Sequence, residues 1–344
     1  MKIPATVITG FLGAGKTTAI RHLLENAKGK RIALIINEFG DLGIDRDVLT
    51  GCGIEECDEG DVVELANGCI CCTVADDFLP TMEALIDREN PPDHIVIETS
   101  GLALPKPLVK AFNWPEIRAR VTVDGVIAVI DAPAVADGQF ADDPDAVQAA
   151  REQDEALDHD SPLEEVFEDQ LHCADIVVLN KSDLLSDADL GRVRSDLAAT
   201  VKPGVKIISA SHGQIDSEVL LGVGAGVEDV IEGRWSHHDG ADGEHDHDDF
   251  DTIVVSLGDL ADPAVLEARI REIAVSHDVL RVKGFVHVPG KAMRHVVQAV
   301  GSRVQRYFDR EWQEGEARES RLVVIGLTGF DRAAVSTVLQ GTPV

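Results

Sequence analysis

The chain has 344 residues and a formal net charge of −31, from 62 acidic against 31 basic side chains. This length is enough for a sizeable core and more than one domain. The acidity excludes general nucleic-acid binding, because phosphate backbones would be repelled, and it raises the local concentration of cations; a similar surface also suits high salt. No apolar stretch is long enough to span a membrane and the N-terminus runs straight into a strand-like segment, so no membrane insertion and a cytoplasmic location are expected.

Ile3 to Thr9 is a short apolar run that reads as a buried strand. It leads into Gly10-Phe-Leu-Gly-Ala-Gly15-Lys16-Thr17, which fits the phosphate-loop spacing G-x-x-x-x-G-K-[ST] at every fixed position, and then into a helix over Thr17 to Asn26. Gly10, Gly13 and Gly15 let backbone N–H groups turn toward phosphates at a helix N-terminus. Ala14 and Thr18 belong to the same cradle. Lys16 is placed to bridge the β- and γ-phosphates, and the Thr17 hydroxyl to bind Mg²⁺. Arg31 to Ile36 reads as a second strand, ending in Asn37-Glu38-Phe39-Gly40.

Two acid or amide sites follow at strand ends. His94 to Ile97 is an apolar strand closed by Glu98 and followed by Thr-Ser-Gly101. A carboxylate there can hold Mg²⁺ through water or position the attacking water, making Glu98 with Lys16 the catalytic pair; Gly101 lets the backbone approach the γ-phosphate. Ile176 to Leu179 leads into Asn180-Lys181-Ser182-Asp183. Asp183 can accept two hydrogen bonds from guanine, Asn180 faces the other edge of the base and the Lys181 stem covers its face. Adenine would leave that carboxylate unpaired, so guanine is preferred. Ile207-Ile-Ser209-Ala210 reads as a further loop closing over the base. In a parallel sheet all these turns converge beyond the carboxyl ends of the strands.

Cys69-Ile70-Cys71-Cys72 lies between the phosphate loop and Glu98. In an extended segment Cys69 and Cys71 point to one side. Two such thiolates suit Zn²⁺ or Co²⁺, with Cys72, an acid, a histidine or water completing a tetrahedral set; three buried structural cysteines are the alternative. Cys52, Cys57 and Cys173 have no such spacing.

Asp137 to Asp169 is strongly acidic and reads as a mobile insertion followed by a helix. Ser236 to Phe250 is a Gly/Asp-rich linker in which His237, His238, His245 and His247 alternate with carboxylates, a weak accessory metal tract. Beyond it come strand Thr252 to Leu257, helix Pro263 to Ser276, strand Val279 to Val288, a strand-rich stretch within Met293 to Phe308, strand Arg321 to Gly326 and helix Arg332 to Leu339, consistent with a split βαβ. The expected fold is α/β: a P-loop NTPase domain over 1–232 with a mainly parallel sheet flanked by helices, a linker over 233–250, and a smaller α+β domain over 251–344.

The ordered set of phosphate loop, Asn37-Glu-Phe-Gly40, Gly68-Cys-Ile-Cys-Cys72, Ile97-Glu-Thr-Ser-Gly101, Asn180-Lys-Ser-Asp183 and Leu280-Arg-Val-Lys-Gly284 resembles the CobW family of metal-handling P-loop GTPases over nearly the whole chain. The resemblance implies slow GTP hydrolysis coupled to delivery of a transition metal held by Cys69, Cys71 and Cys72. It points to Co²⁺ for cobalamin synthesis, handed to a receiving protein such as a cobalt chelatase; thiolate affinity alone suits Zn²⁺ at least as well. A non-enzymatic metal store and a regulatory GTPase with structural cysteines remain as other readings.

Overall fold

The structure is a computed structural model of the chain and describes residues 2–27, 29–36, 62–64, 78–153, 162–221, 250–260, 262–312 and 317–341. Two compact units divide it, Met1–Lys202 with Ile207–Leu220, and Pro203–Lys206 with Leu221–Val344.

The first unit is built on β1 (Ile3–Thr9), β2 (Ile32–Ile36), β3 (Val62–Glu64), β4 (His94–Glu98), β5 (Val121–Asp131), β6 (Ile176–Asn180) and β7 (Lys206–Ser209), in the sheet order β3-β2-β4-β1-β5-β6-β7. The pairs β2 with β3, β2 with β4, β1 with β4, β1 with β5 and β5 with β6 are all parallel. Strands β2, β4, β5 and β6 are buried at every residue. Strands β2, β4 and β6 accordingly read as near-continuous apolar runs, as expected of a parallel sheet covered on both faces, whereas β5 carries Thr122, Asp124 and Gly125 within its run.

Helix α1 (Lys16–Glu25) follows β1 and buries Ala19, Ile20, Leu23 and Leu24. On one side of the sheet α2 (Leu79–Ile86), α3 (Pro105–Ala111) and α4 (Pro115–Arg118) enclose a core of Val7, Ile35, Phe78, Met82, Ile95, Ile97 and neighbours. The half-buried Cys173 packs against that core.

The acidic stretch departs from the sequence reading. After α5 (Ala132–Ala136), which precedes it, the stretch carries α6 (Pro144–Gln153) in place of the expected mobile insertion, while the expected helix leading to Cys173 is α7 (Leu163–Cys173); residues 154–161 lie outside the described part. Phe140, Ala141, Val147, Leu163, Val166 and Phe167 face inward onto Phe11, Leu102, Ala103 and Leu104. The carboxylates of Asp142, Asp143, Asp145, Glu164, Glu165 and Glu168 stay exposed. Amphipathic burial thus overrides the charge of the segment. After β6, a 3-10 turn (Ser182–Leu184) leads to α8 (Asp187–Thr200), and α9 (Ser217–Leu221) follows β7.

In the second unit β8 (Phe250–Leu257), β9 (Val279–Val286), β10 (Met293–Val300), β11 (Arg303–Glu311) and β12 (Ser320–Leu327) form an antiparallel sheet in the order β11-β10-β9-β12-β8. Strand β12 is antiparallel to both β8 and β9, so those two run parallel with the last strand between them. This is the split βαβ, with α10 (Pro263–Ser276) as its crossover. The strand-rich stretch resolves into a hairpin: Val300 pairs with Arg303 across Gly301 and Ser302, and Gly301 has φ 51°. Helices α10 and α11 (Arg332–Gln340) contribute Leu266, Ile270, Ile273, Val335 and Leu339 to the core of the sheet.

Candidate nucleotide site

The parallel register brings the polar strand ends to one edge. Ile8 is level with Glu98, Thr9 with Ala128, and Asp131 with Asn180. Between Thr9 and α1 the phosphate loop turns through three glycines in the left-handed half of backbone space, Gly10, Gly13 and Gly15, at φ 138°, 79° and 96°. Two of these glycines are required for lack of space as well. A Cβ on Gly10 would stand 2.1 Å from the Val129 carbonyl oxygen, and one on Gly15 would stand 2.2 Å from Asn180 Nδ2.

Gly15 serves as the N-cap of α1 with no side chain closing the helix end. The first N–H groups of α1, including that of Thr17, therefore face the loop, where the helix terminus favours an anion. Lys16 is buried, and its Nζ donates to the Phe11 carbonyl at 3.3 Å. Phe11 itself is fixed by the aromatic rings of Phe140 and Phe167, with centroids 5.0 and 6.0 Å away. Thr17 Oγ1 donates to Glu98 Oε1 at 3.1 Å, and Glu98 is fully buried. A hydroxyl and a carboxylate held together beside a phosphate loop are a hard-oxygen pair that fits Mg²⁺.

Asn180 has a role in addition to the one the sequence suggests. Its Nδ2 donates to Ala14 O at 2.8 Å, and its Oδ1 accepts from Gly213 N at 2.9 Å. With one amide hydrogen and the amide oxygen engaged by backbone, Asn180 braces the phosphate loop against the turn after β7, and its second Nδ2 hydrogen is left for the edge of a base. Lys181 has left-handed backbone (φ 59°, ψ 30°), and its Nζ lies 2.5 Å from Asp131 Oδ2. Asp131 also caps α5 by accepting from Ala134 N, so the anchor of Lys181 is itself fixed. Asp183 follows in the 3-10 turn, with His212 Nε2 at 3.7 Å.

The Ser209-Ala210 loop does join this site. Ala210 N donates to Leu179 O, while Ser182 N and Ser182 Oγ both donate to Ala210 O. Gly101 also packs its backbone directly on the phosphate loop, where a Cβ would stand 2.7 Å from Leu12 N. Its carbonyl accepts from Gln170 Nε2, a residue of α7 that the motif reading passed over. Gln170 occupies the inward face with Leu163 and Val166, and a polar residue at an apolar-periodic position is the signal that would have found it.

The cysteine motif Cys69, Cys71 and Cys72, the segment Asn37 to Gly40 and the tract with His237, His238, His245 and His247 lie outside the described residues. Among the described residues no group of three His, Cys, Asp or Glu side chains forms a metal site, and no helix is long and apolar enough to cross a membrane.

Comparison with known proteins gives the geometry its family. The domain described as CobW/HypB/UreG, nucleotide-binding domain, matches residues 4–209, and that described as Cobalamin synthesis protein cobW C-terminal domain matches residues 250–342. The zinc chaperone CobW of a Sinorhizobium species is 60% identical over 341 residues, covering 98% of this chain and 96% of the relative. The zinc chaperone CobW of Pseudomonas aeruginosa is 54% identical over 343 residues, covering 98% and 91%. The zinc chaperone YjiA of Escherichia coli is 31% identical over 336 residues, covering 94% of each. With both units matched in order and these identities sustained along almost the full length, the chain belongs to the CobW family of P-loop GTPase metallochaperones.

Proposed function

We propose that this protein is a GTP-gated carrier of Zn²⁺, loading the ion at Cys69, Cys71 and Cys72 and releasing it to a receiving protein when GTP is hydrolysed. The observation that carries the reading is the Thr17–Glu98 contact, which joins the phosphate loop to the strand-end acid on β4. The chain leaves parallel strand β3 at Glu64, on the same carboxyl edge, five residues before Cys69. Changes at the terminal phosphate therefore arise on the edge from which the thiolate segment departs.

In this mechanism Lys16 and the α1 N-terminus hold the phosphates, and Thr17 with Glu98 would hold Mg²⁺, which neutralises charge developing on the phosphate oxygens. Glu98 orients the attacking water, the Asn180 brace keeps loop and base turn in register, and Asp183 selects guanine. Zn²⁺ is ahead of Co²⁺ as cargo because the relatives of 60% and 54% identity are named zinc chaperones and thiolates hold Zn²⁺ the more strongly. A Co²⁺ cargo for cobalamin synthesis is the second reading, favoured by the description of the matching C-terminal domain.

The test is a competitive Zn²⁺ titration of the nucleotide-free, Mg·GDP and Mg·GTP-analogue forms, repeated with Co²⁺ while following thiolate-to-metal charge-transfer absorbance. The expected result is a tetrahedral thiolate signal with tighter binding in the GTP-analogue form, lost when Cys69 and Cys71 are replaced by Ser. Because linkage is reciprocal, metal should tighten the GTP analogue by the same factor. Equal metal affinity with GTP analogue and GDP would sink the gating.

A further inference from the structure

Gln170 is fully buried on α7, and its Nε2 donates to two carbonyls of the strap after Glu98, Gly101 O and Ala103 O, each at 3.3 Å. Its Oε1 has no hydrogen-bond partner among the described residues. A buried amide with an idle acceptor is a poor stabiliser, since the cost of leaving one group unpaired offsets much of what the other gains. The donor's service is placement. Within the strap Ala103 N donates to Ser100 O at 3.0 Å, and Leu102 N to Ser100 Oγ at 3.3 Å. The peptide between Ser100 and Gly101 is planar and trans, so with its carbonyl bound inside the turn its N–H, that of Gly101, points out of the turn. Gly101 also faces the phosphate loop closely, since a Cβ added there would stand 2.7 Å from Leu12 N and 3.1 Å from the Phe11 carbonyl carbon.

Helix α7 is itself indexed to the nucleotide edge. It ends at Cys173, and two residues later Asp175 accepts from Val126 N at 2.8 Å at the start of β6, the strand that delivers Asn180 and Asp183. Phe167 on the same helix touches Phe11. One helix therefore fixes three things: the phosphate loop through Phe167, the strap through Gln170, and the strand that carries the base turn.

We infer that Gln170 is a positioning residue for the terminal phosphate: by holding the Gly101 and Ala103 carbonyls it presets the Gly101 N–H as a donor to the γ-phosphate oxygens, and GTP is distinguished from GDP partly through it. This rests on the chain hydrolysing GTP, and wild-type turnover is the control that separates the two questions.

The experiment measures affinity for GDP and for a non-hydrolysable GTP analogue, together with kcat and thermal midpoint, in the full chain and in Gln170→Met, which keeps the shape and removes the donor. The expected result is GDP affinity within about twofold, GTP-analogue affinity lowered about tenfold, the loss of one charge-assisted contact, and a fall in kcat. Equal loss for both nucleotides, or a lower melting point with an unchanged GTP/GDP ratio and kcat, would make Gln170 packing alone and overturn the inference. Gln170→Glu supplies the second arm. Protonation restores a donor, so its GTP-analogue affinity should rise relative to wild type as the pH is lowered toward 5; a flat ratio counts against the inference. Absence of turnover in the wild type would instead remove the hydrolytic reading itself.

Discussion

Gly15 and Asn180 are coupled through a single close approach, and their replacement is a quantitative test of the brace. In Gly15→Ala the new Cβ would stand 2.2 Å from Asn180 Nδ2 on a backbone at φ 96°. Left-handed backbone for alanine costs about 1 kcal/mol. Displacing Asn180 breaks its bonds to Ala14 O at 2.8 Å and Gly213 N at 2.9 Å, both buried, at roughly 1 kcal/mol each or more. The single change should therefore cost about 3 kcal/mol of phosphate-loop organisation, which corresponds to roughly a hundredfold loss of GDP affinity. Asn180→Ala removes the same two bonds without the backbone strain, about 2 kcal/mol by the same accounting. In the double variant the Asn180 loss occurs once, so the total should be about 3 kcal/mol and the coupling about 2 kcal/mol. Isothermal titration with GDP on the four proteins closes the cycle. Additivity to within about 0.5 kcal/mol would show that the two positions do not share the contact and that the brace is not what shapes the loop.

Two further predictions concern the second unit. Arg294 and Asp309 are 3% and 1% exposed, joined by bonds of 2.8 and 3.3 Å, and the guanidinium lies 3.6 Å over the Phe285 ring; Asp309→Ala leaves that charge buried and should lower unfolding stability by about 3–5 kcal/mol, whereas Arg294→Met with Asp309→Leu should recover most of it. Urea unfolding followed by tryptophan fluorescence decides this, and a double variant no better than Asp309→Ala would contradict the pairing. His295 is 3% exposed against Phe308, with a ring-centroid distance of 4.6 Å, and its pKa is held below the ordinary histidine value, chiefly by burial and then by the charge of Arg306. Above about pH 6.5 both folded and unfolded forms are neutral; as pH falls further the unfolded chain takes up a proton that the fold refuses, so stability declines by up to about 1.4 kcal/mol per pH unit until the lowered folded pKa is reached. His295→Phe should flatten that part of the profile between pH 7.5 and 5.5, and an unchanged slope would assign the acid loss to other groups.

How far the sequence reveals this protein depends on which force decides each element. Strand β1 and the crossover helix α10 are legible to the residue because local signals agree with the fold: an unbroken apolar run in one, and Asp262 before Pro263 in the other, where the carboxylate accepts from Ala264 N. Strand β5 escapes notice although it is central, since Asp124 and Gly125 interrupt its apolar run even though both are covered. Helix α8 buries only Val193 and Leu197, too thin a stripe to stand out. The phosphate loop, Glu98 and the Ser182 turn are identified correctly as strand-end groups because parallel topology gathers them. What stays hidden is how side chains are used once gathered. Nothing local says that the Asn180 amide will be taken by two backbone groups, or that the acidic stretch will turn its phenylalanines onto Phe11.

The position of β12 has a consequence for how the chain is made. It is the last strand in sequence yet it lies inside the sheet, paired along its length with β8 on one side and β9 on the other. A ribosome releases β8 to β11 first, so the lone strand β8 and the open edge of the β9-β10-β11 ladder wait unpaired until residue 327 emerges to join them. Pairings of such long sequence separation form late. A nonsense codon or a protease cut ahead of Ser320 would therefore leave β8 without its ladder partner and one edge of β9 unpaired, exposing the edges through which strands recruit other chains.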